Sequence, residues 1–285
     1  MKDIKFLILF LGLMSLITSN EAFAQSGDTE TFTGIEEIIV TARKKEEPLQ
    51  ETPVTITALT DTKIQKLYAT DLKDLGMSVP NLLINTNASG SFTNSAAVFM
   101  RGIGNSDIDS TIDPPIGIFL DGVYVPRSSN SNLDLFDVEQ VEVLRGPQGT
   151  LFGRNTTAGA IVVRSKRPTG EFGAKARLTM GDYGRRDLRV AVEAPLSDTV
   201  NAKISVLQQK SDGFYKARYQ THPDYSIPAQ MSYNYEGDYE DTGGDDLFSV
   251  RPMLEFNPSE TFKLTLIGEY SKDRSEPVPA INAAK

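Results

Sequence analysis

Beyond Phe172 the sequence alternates strictly between apolar and polar residues, and few architectures accept that pattern. Ala174, Ala176, Leu178 and Met180 share one face, against Lys175, Arg177 and Thr179. Leu188, Val190, Val192 and Ala194 oppose Asp187, Arg189 and Glu193, and Ala202, Ile204 and Val206 repeat the theme. Phe262, Leu264, Leu266 and Tyr270 oppose Lys263, Thr265 and Glu269, while Asp246–Phe256 is a less regular strand because of Pro252. Segments of about ten residues, apolar on one side and polar on the other, suit a transmembrane barrel with a polar lumen. A soluble β-sandwich shows the same alternation. The connections favour the barrel: Ser197-Asp198-Thr199 and Asn257-Pro258-Ser259-Glu260 are tight, whereas Ser211–Asp245 is long and rich in tyrosine (Tyr215, Tyr219, Tyr225, Tyr233, Tyr235, Tyr239). Short turns at one end and longer loops at the other mark membrane barrels. Gly181–Gly184 runs against this trend, being short on the long-loop side.

The start of the chain supplies an address. Lys2 and Lys5 precede an apolar run from Phe6 to Ile17, and Ala22-Phe23-Ala24 offers a small-residue cleavage site. Residues 1–24 therefore read as a secretory signal peptide, the run being too short to span a bilayer. No later apolar stretch is long enough for a membrane helix, which leaves a soluble fold or a closed barrel for the rest. The chain has no cysteine, which excludes disulfides and thiolate metal sites. A formal charge of −9 argues against a nucleic-acid partner.

Residues 25–34 are polar, with the composition of a disordered segment. Next, in EEIIVTARKKEE (36–47), the β-branched run Ile38-Ile39-Val40 lies between charged flanks with no neighbouring strand in sight. Residues 48–60 alternate Val54, Ile56 and Ala58 with Thr55 and Thr57, as in a strand. Asp61 sits where a helix N-cap is expected, and Ile64, Leu67, Tyr68 and Leu72 recur at helical spacing. A second short helical pattern, Leu72–Met77, stops before Pro80. From there to Pro168 short strands separate Gly, Asn and Pro clusters, so that residues 48–168 form a compact α+β domain of ordinary size.

Signatures of catalysis are missing. Gly102-x-Gly104 meets Asp107 where a dinucleotide loop needs glycine, and Gly146-Pro147-Gln148-Gly149 lacks the Gly-Lys-Ser/Thr of a phosphate loop. Asp107, Asp109 and Asp113 have a calcium-loop rhythm, but Ile112 and Ile118 occupy the positions that need glycine and glutamate. His222, the sole histidine, has no partner for zinc or for a serine triad. The expectation is a non-enzyme with no catalytic residue, metal or cofactor.

Several stretches resemble, in order, the N-terminal part of a TonB-dependent outer-membrane receptor. EEIIVTA (36–42) resembles a TonB box; FMRGIG (99–104), IGIFLDGVYV (116–125) and VEQVEVLRGPQGTLFGRNTTAGAIVVRSKRP (138–168) resemble its plug. The resemblance implies an α+β plug domain followed by the first antiparallel strands of a transmembrane β-barrel. The layout is a signal peptide (1–24), a periplasmic segment with the box (25–47), the plug (48–168) and about five barrel strands (169–285). It implies the outer membrane of a Gram-negative bacterium, with plug and N-terminus on the periplasmic side, and lipid around the barrel. The periplasmic C-terminal domain of TonB would pair with Ile38, Ile39, Val40, Thr41 and Ala42 by strand addition, in which backbone groups carry the affinity. The ligand class would be a scarce nutrient, by default a ferric siderophore or other iron complex. Gly102, Gly122, Gly146, Gly149 and Gly153 would hold tight turns or close approaches. Arg101 and Arg145 would meet acids of the barrel wall, and 103–115 and 126–132 would face outward.

One departure stands out. A plugged transporter barrel has about 22 strands, needing about 220 residues before any loop, whereas 114 residues follow Glu171. The chain therefore reads as a truncated frame or fragment. The alternative function is a soluble, non-transporting, plug-like binding fragment of the periplasm.

Overall fold

The computed structural model describes residues 37–41, 43–86, 94–106, 112–127, 131–217 and 240–276. Residues 1–36, which include the expected signal peptide, as well as Ala42, Asp107, Asp109, His222 and Tyr219–Tyr239, lie outside the described residues.

The first element among the described residues is a small hairpin, β1 (Ile39–Val40) against β2 (Glu47–Pro48). The first half then builds around a five-stranded sheet in the order β3-β9-β10-β7-β8, from β3 (Ile56–Thr60), β7 (Ile116–Leu120), β8 (Val123–Val125), β9 (Val138–Arg145) and β10 (Gly159–Ser165). Only the β7–β10 pair is parallel. A second sheet joins β4 (Leu82–Asn85), β5 (Ala97–Met100) and β6 (Ile103–Gly104). Leu59, Leu72, Leu75, Met100, Val141, Val143, Ile161 and Val163 are fully buried in one core between the sheets and helices. Each such side chain contributes about 1.5–3 kcal/mol of transfer free energy. Gly159 is required by proximity: a Cβ there would lie 2.3 Å from the Met100 sulfur and 2.4 Å from the Leu144 carbonyl oxygen.

The helical segment differs from its sequence reading. Helix α1 covers only Asp61–Lys66, with Thr60 rather than Asp61 at the N-cap. It stops because Tyr68 turns left-handed (φ 55), while the Ala69 amide reaches back to the Ile64 carbonyl. Leu72 belongs to a separate 3₁₀ turn, Leu72–Met77, closed by a capping box between Asp71 and Asp74. Val54 precedes β3 instead of belonging to it, and Ala58 and Leu59, on opposite faces of β3, are both buried because the sheet is covered on both faces there. A short helix α2 (Gly149–Phe152) follows β9.

The second half is one antiparallel sheet of β11 (Gly173–Met180), β12 (Arg186–Ser197), β13 (Val200–Lys210), β16 (Asp246–Ser259), β17 (Phe262–Ile267) and β18 (Tyr270–Asp273). β17 and β18 pair with β16 in one register, Met253↔Ile267 and Val250↔Tyr270. They are one strand whose ladder lapses opposite Pro252, which has no N–H to give. The long connection carries its own strand pair, β14 (Tyr215–Ala217) and β15 (Glu240–Thr242), so part of what reads as loop is hairpin. At the other end Ser197 pairs Val200 and Ser259 pairs Phe262, which moves the second tight turn to Glu260-Thr261 and leaves Asn257 and Pro258 in the strand.

This sheet is inside out. Leu178, Met180, Leu188, Leu196, Ile204 and Leu266 are exposed, whereas Asp187, Arg189, Lys203 and Glu255 are buried. A soluble sandwich would bury the apolar set. Here the polar face wraps the first half of the chain, with which it forms one compact unit, Glu37–Lys285.

Candidate functional site

Two sites stand out: the docked N-terminal hairpin and the seam between the first half and the sheet that wraps it.

In β1, Ile39 lies opposite Pro48 and Val40 opposite Glu47, and the Leu49 amide donates to the Ile38 carbonyl at 2.8 Å. Antiparallel pairing alternates, so Ile38 and Val40 direct their backbone groups at β2, while those of Ile39 and Thr41 point away. Pro48 fits this register because it needs no donor at its position. Two of the outward groups, the Ile39 carbonyl and the Thr41 amide, are already bonded. Gln140 Nε2 donates to the Ile39 carbonyl at 3.1 Å. Glu142 Oε1 accepts from the Thr41 amide at 2.8 Å and from its hydroxyl at 3.0 Å. Val40 is fully buried. The sequence suggests a solvated strand without a sheet; the structure instead docks it against β2 and β9. Ala42 is outside the described residues.

Glu142 is itself fully buried, and its second oxygen has no partner among the described residues. Burial pushes its carboxyl above the usual range; the two Thr41 hydrogen bonds and Arg164 oppose the shift without cancelling it.

Three acids of the first half and three cations of the wrapping sheet form the seam. Asp121 accepts from Arg251 Nη2 at 2.6 Å and from the Ser165 hydroxyl at 2.8 Å. Asp134 meets Arg189 Nε at 2.7 Å, and Asp137 pairs with Lys203 at 2.5 Å. Arg189 is fully buried and shared with Asp187. Phe136, between two of these acids, lies under Lys175 and Arg177, whose charged groups stand 4.9 and 5.7 Å from its ring centre. Burial also raises the Asp134 carboxyl, with Arg189 pulling it back.

The charge order is the reverse of the expectation that plug arginines would meet wall acids. Arg145 turns back instead, donating to Thr57 Oγ1 at 2.9 Å and to the Pro80 carbonyl at 3.5 Å. Arg101 is exposed, near Gly146. Among the described residues neither arginine forms an ion pair. Arg101-Gly102 and Asp121-Gly122 are two-residue hairpin turns with positive φ at both positions (52 and 80, 48 and 85), the type I′ geometry that an Asp-Gly pair announces. Gly146 and Gly153 also have positive φ, whereas Gly149 merely opens α2 with open space around it. Of the outward segments expected at 103–115 and 126–132, residues 107–111 and 128–130 are outside the described residues.

Asp121, Asp134 and Asp137 went unrecognised as site residues in the sequence. The Asp-Gly turn was the available signal for the first; nothing local marks the others.

With this geometry in place, known proteins are informative. The family described as the TonB-dependent receptor plug domain matches residues 48–160. The catecholate siderophore receptor Fiu of Escherichia coli (strain K12) is 30% identical over 165 residues, which are 58% of this chain and 20% of that receptor. The vitamin B12 transporter BtuB of Vibrio vulnificus (strain CMCP6) is 24% identical over 247 residues, 83% of this chain and 40% of that transporter. Among solved structures, the ferric yersiniabactin uptake receptor FyuA from Yersinia pestis superposes with a TM-score of 0.62 at 22% identity, covering 76% of this chain and 31% of its own. The ferripyoverdine receptor of Pseudomonas aeruginosa gives 0.62 at 19%, covering 82% and 27%. The chain thus spans about a fifth of the length of the catecholate receptor it matches.

Proposed function

We propose that this chain is the N-terminal region of a TonB-dependent receptor, plug domain and first wall strands together, and that it serves energised uptake of a scarce nutrient across the outer membrane of a Gram-negative bacterium. Residues 1–24 are the export signal, 25–47 the periplasmic segment, 48–168 the plug and 169–285 the wall. The plug and N-terminus face the periplasm. Ile38–Ala42 receives the C-terminal domain of TonB as an added strand, and force on that segment remodels the plug. The ligand is an iron complex of the siderophore class, in keeping with the catecholate and ferrioxamine B receptors among its relatives.

The observation that carries this reading is the inverted sheet. Its outward leucines suit lipid, and its buried Arg189 and Lys203, with the half-buried Arg251, hold plug carboxylates. Fractionation tests it. Recovery in the outer membrane, released only by detergent, is the expected outcome. Release with the soluble periplasm would establish the non-transporting plug-like fragment instead.

A further inference from the structure

The outward edge of Ile39–Thr41 is the edge an added strand needs, and side chains of β9 already fill it. Gln140 and Glu142 are two residues apart on one face of β9, a spacing of about 7 Å. From these positions the two side chains reach the Ile39 carbonyl and the Thr41 amide, at 3.1 and 2.8 Å. A donor meets an acceptor and an acceptor meets a donor, as a neighbouring strand would arrange them. The opposite edge is closed by β2 through the Leu49 amide and the register to Glu47.

We infer that Gln140 and Glu142 stand in for the partner strand, so that TonB adds to β1 by displacing these two side chains while β1 stays paired with β2. The inference rests on reading Ile38–Ala42 as the coupling segment, and it names the competitor that the partner must exchange for. The bonds to the Ile39 carbonyl and the Thr41 amide are exchanged for backbone bonds, while the bond from the Thr41 hydroxyl to Glu142 is given up. Glu142 is the stronger of the two clamps, since it holds both the amide and the hydroxyl of Thr41.

The test uses the full chain in detergent, with amide hydrogen exchange and titration by the purified TonB C-terminal domain. Glu142→Leu is expected to speed exchange at Thr41 about tenfold, the effect of one net hydrogen bond, with Val40 still protected. The same variant should tighten domain binding by a similar factor, and Gln140→Leu should do so more weakly. Equal binding by wild type and both variants would overturn the inference and leave the coupling segment standing. So would loss of Val40 protection on domain binding, because β2 would then be the strand displaced. If the domain binds neither the chain nor a free peptide of residues 36–47, the coupling reading falls and the inference with it. Should Glu142→Leu fail to fold, the wild-type pattern on adding the domain decides: Val40 protection kept supports the inference, Val40 protection lost overturns it.

Discussion

Asp121 combines a left-handed backbone, φ 48, with a carboxylate that is 3% exposed and bound to Arg251 of the wall. The two roles separate by substitution. Asparagine tolerates the backbone and removes the charge; alanine removes the charge and strains the turn by about 1–2 kcal/mol. Thermal unfolding in detergent should therefore rank wild type above Asp121→Asn, and Asp121→Ala lowest, with the first step costing about 1–3 kcal/mol for the orphaned guanidinium. A second residue-scale expectation concerns pH. Burial raises the carboxyl groups of Glu142 and Asp134 in the folded chain. The stability these groups supply is complete below the ordinary carboxylate range, about pH 4, and is lost as the pH rises through their elevated folded values. Glu142→Gln should flatten that decline, and the wild-type difference in denaturant midpoint between acid and neutral pH measures it.

Among elements, β1 is the one whose sequence and structure disagree most. Its β-branched run announces a strand, yet its docking depends on Gln140 and Glu142, each about 100 residues away. Nothing in residues 36–47 encodes that contact, so it was not legible. The wall strands were legible because alternation is a local property, and their five-strand count survives once β17 and β18 are joined across Pro252. The plug helix departs from its sequence pattern for a local reason as well: the apolar spacing continues past Tyr68, but the backbone turns left-handed there. Ile39→Pro removes the donor on the outward edge of β1. Uptake of labelled ligand should be abolished, while equilibrium binding of the same ligand to intact cells stays at the wild-type level.

Across the seam, charge is sorted by side: the plug supplies Asp121, Asp134 and Asp137, the inner wall supplies Arg251, Arg189 and Lys203, and the leucines lie outside. Leu266 lies on the exposed face, and its neighbour Thr265 opposes Glu255, which is buried on the inner face. Leu266→Arg should destabilise the chain in a bilayer by about 2–4 kcal/mol if it lies at the midplane depth, and Thr265→Arg by far less. Refolding titrations into lipid vesicles would read the difference; equal effects would argue against lipid on the leucine face. The charge pairs of the seam are hidden from the sequence, because each joins a plug loop to a strand more than 50 residues downstream.

The order β3-β9-β10-β7-β8 has one more consequence, and it is mechanical. Tension applied to the chain near Glu37 passes through the β1–β2 hairpin and reaches β3 first. β3 is an edge strand, paired over five residues with β9 alone. A load from that end therefore detaches a single border strand before it tests the buried middle of the sheet, so the fold presents its cheapest seam to the tether and keeps β9 and β10 as the anchor.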